Sequence, residues 1–383
     1  MRPATGSRAF AQPASTSSFN GLGATVRHPT GPHRHSAPAR RAPALLFVHQ
    51  GHRRGGNPLR PANEPGGRYV LGVDSGGSGL RVALAEAADP AGAVSTRSAT
   101  PVRTSAAGID PAHMLELLLP MARELLAGAG DPVPVALVVG AAGMATLGDG
   151  LRAELPAALA RELGVGRLAL AADGVTAYAG ALGQRPGAVV AAGTGMIALG
   201  TDLGSWRRAD GWGHLLGDCG GGAWIGQAGL AAAMRAFDGR RGGSAALLAR
   251  AEERFGPAGE LPGRIYPRAD RPAALAAFAP DVAACAPSDP VAASILRDAA
   301  RHIAESAAAV CPADGGEVAL TGGLFNMGAP LLDPLHRELT AQLPKAELTP
   351  AAGDPLHGAL VIAAALASDG LRLPRDGRLL FVP

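Results

Sequence analysis

The chain has 383 residues, of which 47% are hydrophobic, and its three cysteines show no CxxC pairing. This length predicts two domains of ordinary size, and the cysteine pattern excludes a disulfide scaffold and a zinc or iron–sulfur site built from the cysteines of one chain alone. The formal net charge of +3 is unevenly distributed: residues 1–68 carry ten arginines and one glutamate, which leaves the remainder at −6, so the basic balance does not indicate a nucleic-acid-binding fold.

Residues 1–67 are rich in Ser, Pro, Gly, Arg and His and show no sustained periodicity, which predicts a disordered basic N-terminal extension. No apolar segment of the length of a secretory signal follows the first residues, and the apolar run at residues 44–48 is too short to span a membrane. We therefore expect a cytoplasmic protein with no nucleic-acid and no membrane partner.

The body of the chain, from residue 68 onward, alternates predicted strands with predicted helices. In its first half, strands are expected at residues 69–74, 80–85, 135–139 and 168–172, and helices from the cap at Asp110 to about residue 126 and at residues 150–163. In its second half, strands are expected at residues 188–192, 196–200 and 318–320, with helices over about 220–310 and a last helix at about 355–367. This alternation predicts an α/β architecture.

Each half contains the same local pattern, in which a strand is followed by a tight turn of glycine and hydroxyl residues and by a second strand. The repeat predicts a duplicated domain, with an N-terminal domain at residues 68–186 and a C-terminal domain at residues 187–383. The second domain holds the helical segment at about 220–310 as an insertion, and the last helix is free to pack back on the first domain.

Lys345 is the only lysine, and no glycine-rich loop precedes it. A Walker A loop needs a lysine on the nucleotide phosphates, and a protein kinase needs one on a strand. Both of these ways of binding ATP are therefore excluded, and an ATP site in this chain must hold phosphate by other groups.

The first candidate phosphate site is the turn after the first strand of the body. Its glycines allow backbone N–H groups to approach an oxyanion, and Asp74 at the strand end is placed to hold water on a magnesium ion. An ordinary glycine hairpin is the alternative, and a dinucleotide fingerprint is excluded because Val82 stands at the third glycine position. The phosphate-binding candidates in this turn are Ser75, Gly76, Gly77 and Ser78.

The second candidate is the turn Gly193, Thr194 and Gly195, which offers the same chemistry from the other half of the chain. Two facing turns of this kind form a phosphate clamp that needs no lysine. The pair is therefore a more specific signal than either turn alone.

Asp173 follows a predicted strand and precedes a predicted helix. In that position it is either an N-cap of the helix or a general base for a hydroxyl nucleophile. The local sequence leaves both interpretations open.

Residues 211–226 contain two tryptophans, a histidine and an aspartate among many glycines, a density for which we expect no packing role. Aromatic faces suit the CH surfaces of sugars, and a carboxylate such as Asp218 suits paired hydroxyls, so the segment predicts a carbohydrate-contacting loop. His214 is interpreted as structural and Cys219 as a small filling residue. A later strand ends in Gly322 and Gly323, where an adenine can lie against the backbone, although a plain strand-to-helix turn is the alternative.

Taken in order, these segments resemble the ATPase and sugar-kinase superfamily related to actin. Within it they resemble the BadF/BadG/BcrA/BcrD-type ATPase family and its N-acetylglucosamine kinase and glucosamine kinase branch. The resemblance covers about residues 69–366, and residues 211–218 are its most specific part. It implies an α/β fold of two ribonuclease H-like, actin-like ATPase domains with a central cleft for ATP, Mg²⁺ and a sugar.

The resemblance also implies a role for each matching residue. Asp173 resembles the catalytic base, and Asp74 the carboxylate that holds Mg²⁺ through water. The phosphate-binding residues implied are Ser75, Gly76, Gly77, Ser78, Gly193, Thr194 and Gly195. The sugar-binding residues implied are Asp218, Gly217, Trp212 and Thr104, and the adenosine-binding residues are Gly322, Gly323 and Asn326.

Two departures from the family pattern bear on the substrate. Cys219 and Gly221 stand where the family usually has an acid and a serine, and residues 102–105 lack the asparagine typical of N-acetylglucosamine kinases. Because residues 102–110 look more like glucosamine kinases, we expect a glucosamine kinase that phosphorylates the 6-hydroxyl, with N-acetylglucosamine or a modified amino sugar as the alternative.

Two alternatives of other classes remain open. An activator ATPase of a dehydratase needs cysteines that hold an iron–sulfur cluster across a dimer, and the three cysteines lack that context. A sugar-sensing regulator needs a DNA-binding arm, for which the N-terminal extension is too rich in Pro and Gly. A homodimer is left open in every case.

Overall fold

The structure is a computed structural model that describes residues 67–77 and 79–383. Ser78 and the predicted extension up to residue 66 lie outside the described residues. The described part contains thirteen strands and twelve α-helices, so the α/β prediction is confirmed.

The strands are, in chain order, β1 (Tyr69–Gly76), β2 (Gly79–Glu86), β3 (Asp89–Ser98), β4 (Thr104–Ser105), β5 (Gly108–Ile109), β6 (Ala136–Ala141), β7 (Leu168–Ala172), β8 (Gly187–Ala192), β9 (Met196–Thr201), β10 (Trp206–Asp210), β11 (Gly316–Thr321), β12 (Ala346–Pro350) and β13 (Leu380–Phe381). The helices are α1 (Pro111–Gly128), α2 (Met144–Leu147), α3 (Asp149–Leu163), α4 (Asp173–Leu182), α5 (Gly222–Phe237), α6 (Ala245–Phe255), α7 (Leu261–Ile265), α8 (Arg271–Ala276), α9 (Ala279–Cys285), α10 (Pro290–Val310), α11 (Ala329–Gln342) and α12 (Pro355–Ala367). Two short 3₁₀ turns lie at Ala258–Glu260 and Gly323–Met327.

The strands form two main sheets of similar design. The first has the order β13-β7-β6-β1-β2-β3, and the second the order β10-β9-β8-β11-β12. In each sheet the first strand of a hairpin is antiparallel to the strand that follows it and parallel to a later strand on its other side. The predicted repeat of strand, turn and strand is therefore confirmed in both halves of the chain.

The central strands are buried because helices cover them. Every residue of β6 and β7 is buried, and both strands are continuous apolar runs, as expected for parallel strands covered on both faces. Helix α12, although it comes near the carboxyl end of the chain, packs against β1 and β6 of the first sheet. The start of α12 is thereby brought close to the end of β1, where the site described below begins.

Helices α4 and α12 cross at very short range, and glycines make this possible. A methyl group at Gly358 would overlap the carbonyl oxygen of Thr176, and one at Gly180 would overlap the carbonyl oxygen of Asp354. Asp173 begins α4 and Asp354 caps α12, so the crossing places two carboxylates near the end of β1.

The substitution Gly358→Ala is expected to lower the free energy of unfolding by about 1–3 kcal/mol or more, because overpacking at a backbone contact forces the two helices apart. Gly128→Ala is the matched control, since Gly128 ends α1 and an added methyl group would meet no atom within 4 Å. Denaturant titration of both variants measures the effect. Equal stability of the two would contradict the packing account.

Candidate active site

A cavity of about 580 Å³ opens where the turns of the two sheets face each other. It collects residues that are far apart in the sequence, from the end of β1 to the start of α12. Of the residues predicted to form the site, those that line it are Asp74, Ser75, Gly76, Asp173, Gly193, Gly195, Asp218 and Gly322.

Other predicted residues do not line this cavity. Among those that the structure describes, they are Gly77, Thr194, Thr104, Trp212, Gly217, Gly323 and Asn326. Thr104 lies in the short exposed strand β4, and Trp212 is 62% exposed. Their predicted roles, and that of Ser78 outside the described residues, remain predictions.

The cavity also has lining residues that the sequence analysis missed. Four of them lie at the start of α2, which follows β6 of the first sheet. Arg208 lies in β10 of the second sheet. The missed lining residues include Gly143, Met144, Ala145, Thr146, Ile197 and Arg208.

Asp74 lies at the end of β1 and is held by an arginine. Arg81 donates to its Oδ2 atom from Nε at 3.0 Å and from Nη2 at 2.7 Å, and its Nη1 donates to Asp354 at 2.5 Å. Beyond Asp74 the backbone is open, because a methyl group at Gly76 or Gly77 would meet no atom within 4 Å. The turn therefore offers free space beside its backbone, as a phosphate site requires.

Arg81 could have been found from the sequence. In the antiparallel pair β1–β2 it lies directly opposite Asp74. Opposite charges at such positions attract each other, so reading the register of the predicted hairpin predicts the ion pair.

The donor set around Asp74 fits magnesium bound together with ATP. Within the residues described, no group of three His, Cys, Asp or Glu could hold a metal ion. An ion at Asp74 would take most of its ligands from water and phosphate, which is the usual coordination of Mg²⁺ in phosphate-transfer sites.

The turn between β8 and β9 is fixed onto the start of α5. The N–H of Gly222 donates to the carbonyl of Gly193 at 2.9 Å, and the N–H of Ala223 donates to the carbonyl of Thr194 at 2.8 Å. Gly193 itself has open space on its Cβ side. The second turn is thus rigidly supported from behind and open toward the cavity.

The expectation that the glycines of residues 211–226 have no packing role is wrong. A Cβ atom at Gly222 would lie 2.6 Å from the carbonyl oxygen of Gly193, and one at Gly221 would lie 2.8 Å from the carbonyl carbon of Gly195. One at Gly226 would overlap the carbonyl oxygen of Leu275 in α8. These glycines allow the backbone of α5 to contact α8 and the turn between β8 and β9.

Asp173 is the first residue of α4 and lines the cavity. The N-cap of α4 is Ala172, so the alternative interpretation of Asp173 as N-cap is wrong. Its Oδ1 atom accepts a hydrogen bond from the N–H of Gly174 at 2.9 Å. Burial, with a smaller contribution from the charge of Asp74, raises the pKa of Asp173 to about 6, and the hydrogen bond from the N–H of Gly174 opposes this rise. A carboxylate with this pKa is suited to accept a proton near neutral pH.

Asp218 is buried and points into the cavity from the loop that precedes α5. Its Oδ1 atom accepts a hydrogen bond from the N–H of Gly213 at 3.0 Å. Burial raises the pKa of Asp218, with a further contribution from the carboxylate of Asp210. A buried carboxylate with spare acceptor capacity suits a ligand that carries paired hydroxyls.

Arg208 forms the edge of the cavity next to the same loop. It donates to the carbonyl oxygen of Asp210 at 3.1 Å and to that of Gly211 at 2.5 Å. Its guanidinium carbon lies 4.3 Å from the ring centroid of Trp212, so the arginine covers one face of that ring. This contact explains how Trp212 is held outside the cavity lining.

The turn after β11 closes the cavity on its far side. Gly322 has φ +105°, and a methyl group there would overlap the carbonyl oxygen of Ala192 at the end of β8. A Cβ atom at Gly323 would meet no atom within 4 Å. Asn326 lies in the 3₁₀ turn that begins at Gly323. A flat group could lie against this backbone, as predicted for adenine.

Comparison with known proteins extends these observations. The sequence model of the BadF/BadG/BcrA/BcrD ATPase family matches residues 71–359. The N-acetylmuramic acid/N-acetylglucosamine kinase of Clostridium acetobutylicum is 32% identical over 213 residues, which cover 53% of this chain and 69% of the relative.

Two crystal structures have the same fold. A candidate N-acetylglucosamine kinase from Chromobacterium violaceum is 30% identical with a TM-score of 0.59, covering 77% of this chain and 98% of the other. One from Porphyromonas gingivalis is 17% identical with a TM-score of 0.57, covering 76% and 97%. The predicted actin-like architecture of two α/β domains is confirmed by these likenesses.

Among the described helices, none combines the length and the apolar character that a membrane crossing needs.

Proposed function

Because this chain belongs to the BadF/BadG/BcrA/BcrD ATPase family, we propose that it is an ATP-dependent amino-sugar kinase, and specifically a glucosamine kinase that phosphorylates the 6-hydroxyl. The observation that carries the proposal is the composition of one cavity. Two open glycine turns, a carboxylate with a raised pKa and a second buried carboxylate meet there without a lysine.

The two turns provide the phosphate site. Backbone groups at Gly76 and Gly193 have free space beside them, so the phosphates of ATP can be bound between the sheets. Mg²⁺, when bound with ATP beside Asp74, neutralises charge on the phosphates. The turns are held in place by Arg81 and by the start of α5, so little reorganisation is needed when charge develops during transfer.

The carboxylates of Asp218 and Asp173 have different roles toward the sugar. Asp218 accepts hydrogen bonds from ring hydroxyls and thereby orients the sugar. Asp173 accepts the proton of the 6-hydroxyl as that oxygen attacks the γ-phosphorus, and ADP leaves. Phosphoryl transfer of this kind depends mainly on positioning and charge, which is what this cavity supplies.

The charge of the cavity supports an amino sugar with a free amine. Among the described residues that line it, Asp74, Asp173 and Asp218 are acidic and Arg208 is basic. Arg81 forms an ion pair with Asp74, so Asp173 and Asp218 provide the negative charge that a cationic sugar would meet. An acidic cleft attracts a cationic ligand. N-acetylglucosamine is the second candidate, because relatives of this chain are named as kinases of N-acetylated sugars.

An assay of ADP release from Mg-ATP tests the proposal. The release is compared with glucosamine, N-acetylglucosamine, N-acetylmuramic acid, mannosamine or glucose present, and without any sugar. We expect turnover with glucosamine above all others. A preference for an N-acetylated sugar would retain the amino-sugar kinase and reject the free amine. Turnover that is independent of any sugar would reject the kinase and favour an ATPase that acts on a protein partner.

The pH dependence of turnover tests the role of Asp173. The carboxylate must be ionised to accept a proton, and its pKa is raised to about 6. We therefore expect kcat/KM for the sugar to fall about tenfold for each pH unit below about 6, and to level off above it. The profile is measured at saturating ATP. If kcat/KM for the sugar stayed constant from neutral pH down to well below this pKa, the assignment of Asp173 as the base would be contradicted.

A further inference from the structure

Asp210 is the last residue of β10, and it has no role in the predicted site or in the proposed reaction. Its carboxylate accepts two backbone hydrogen bonds from the loop that carries Asp218. Oδ1 accepts from the N–H of Asp218 at 2.5 Å, and Oδ2 accepts from the N–H of Cys219 at 2.8 Å. Asp210 therefore binds the backbone of the residue that is proposed to hold the sugar.

Asp210 and Asp218 both have a left-handed backbone conformation, which residues other than glycine adopt at a cost in free energy. The φ angle is +59° at Asp210 and +55° at Asp218. Residues in this region persist only where surrounding contacts fix them, and they concentrate at functional sites. The two hydrogen bonds that Asp210 accepts are contacts of this kind, because the strained residue Asp218 and its neighbour Cys219 donate them.

The loop is closed from its other end as well. Arg208 holds the carbonyl oxygens of Asp210 and Gly211, and Asp218 accepts the N–H of Gly213. A methyl group at Gly217 would overlap the carboxylate of Asp210. Residues 210–218 thus form a ring closed by its own hydrogen bonds, with the carboxylate of Asp210 inside it.

The ring fixes where the free oxygen of Asp218 points. Oδ1 of Asp218 is engaged by Gly213, and Oδ2 lies against the Cα of Gly195, because a Cβ atom there would overlap it. Gly195 belongs to the second phosphate turn and lines the same cavity. The loop conformation therefore sets the distance between the sugar carboxylate and the phosphate turn.

We infer that Asp210 is a positioning residue, which holds Asp218 in the conformation that binds the amino sugar next to the phosphate turn. This inference rests on the proposed function. Asp210 does not line the cavity. It acts by keeping the backbone of residues 218 and 219 in place, so that sugar binding does not have to order the loop.

Kinetics of Asp210→Ala and Asp210→Asn test the inference, with Asp202→Ala as the matched control. Asp202 lies at the other end of the β9–β10 hairpin and also accepts two backbone N–H groups, from Gly204 at 2.9 Å and from Ser205 at 3.1 Å. If Asp210 had a merely structural role, Asp210→Ala and Asp202→Ala would have the same effect on KM for the sugar.

For Asp210→Ala we expect KM for the sugar to rise about tenfold to hundredfold, since two hydrogen bonds to a charged acceptor are lost. We expect KM for ATP to stay unchanged. Asp210→Asn should recover part of the loss, because its amide oxygen still accepts one of the two bonds. Equal sugar KM values in Asp210→Ala, Asp202→Ala and the unsubstituted protein would overturn the inference.

Hydrogen exchange separates this inference from the proposed function. In the unsubstituted protein the amides of Asp218 and Cys219 should be protected, and in Asp210→Ala they should exchange at least about tenfold faster. In Asp202→Ala they should not change. If no sugar supports turnover, the proposed function fails while this measurement still decides whether Asp210 holds the loop. Unchanged exchange in Asp210→Ala would overturn the inference.

Discussion

Asp173→Asn is expected to lower kcat for sugar phosphorylation by about a hundredfold to ten-thousandfold, with ATP affinity unchanged. The amide has the same shape and still accepts the hydrogen bond from the N–H of Gly174, so α4 keeps its first turn. It cannot take the proton of the attacking hydroxyl. ADP release measures the loss, and titration with a non-hydrolysable ATP analogue measures nucleotide binding.

Asp149→Asn is the control for this substitution. Asp149 also lies in the first turn of a helix, α3, and its side chain is 95% exposed. We expect it to keep the turnover of the unsubstituted protein. Turnover in Asp173→Asn equal to that of the control would show that Asp173 is not the base.

Asp218→Ala is expected to lower kcat/KM for the sugar by about a hundredfold or more, mainly through KM for the sugar. The sugar hydroxyls lose charge-assisted hydrogen bonds, each of which contributes roughly tenfold or more in affinity. The N–H of Gly213 loses its acceptor at the same time. KM for ATP is expected to stay within the range of the unsubstituted protein, because backbone hydrogen bonds from Gly222 and Ala223 hold the turn between β8 and β9 in either case.

The comparison of Asp218→Ala with Asp218→Asn separates the two effects. The asparagine retains an acceptor for Gly213 and removes the charge. A partial loss in Asp218→Asn indicates that the charge binds the sugar directly. Sugar KM unchanged in both variants would contradict the assignment of this loop to the sugar.

The sequence predicted those parts of the fold whose residues are locally distinctive. Strands such as β7 and β8 are apolar runs that end in glycine or a carboxylate, and α12 lies between a capping aspartate and a polar segment. Strands β3 and β10 were missed. β3 contains Pro, Gly, Ser and Thr and is largely exposed, so neither burial nor alternation marks it in the sequence.

The same distinction applies to the site. Asp74, Asp173 and Asp218 each follow a strand or lie in a glycine-rich loop, and the sequence marks such positions. Arg208 and Asp210 lie in β10, which was not predicted, so the hydrogen bonds of their side chains with the backbone of the loop were not predicted either. The glycines of the loop were assigned to ligand contact alone, because the approach of α5 to the turn between β8 and β9 depends on tertiary packing that no local pattern reveals.

Identification of the reaction product decides whether the chain transfers phosphate from ATP to an amino sugar. Glucosamine and Mg-ATP are incubated with the protein, and the products are analysed by phosphorus NMR spectroscopy. We expect ADP together with an amino sugar that carries the phosphate on its 6-oxygen. ADP accompanied only by inorganic phosphate, with the sugar unchanged, would contradict it.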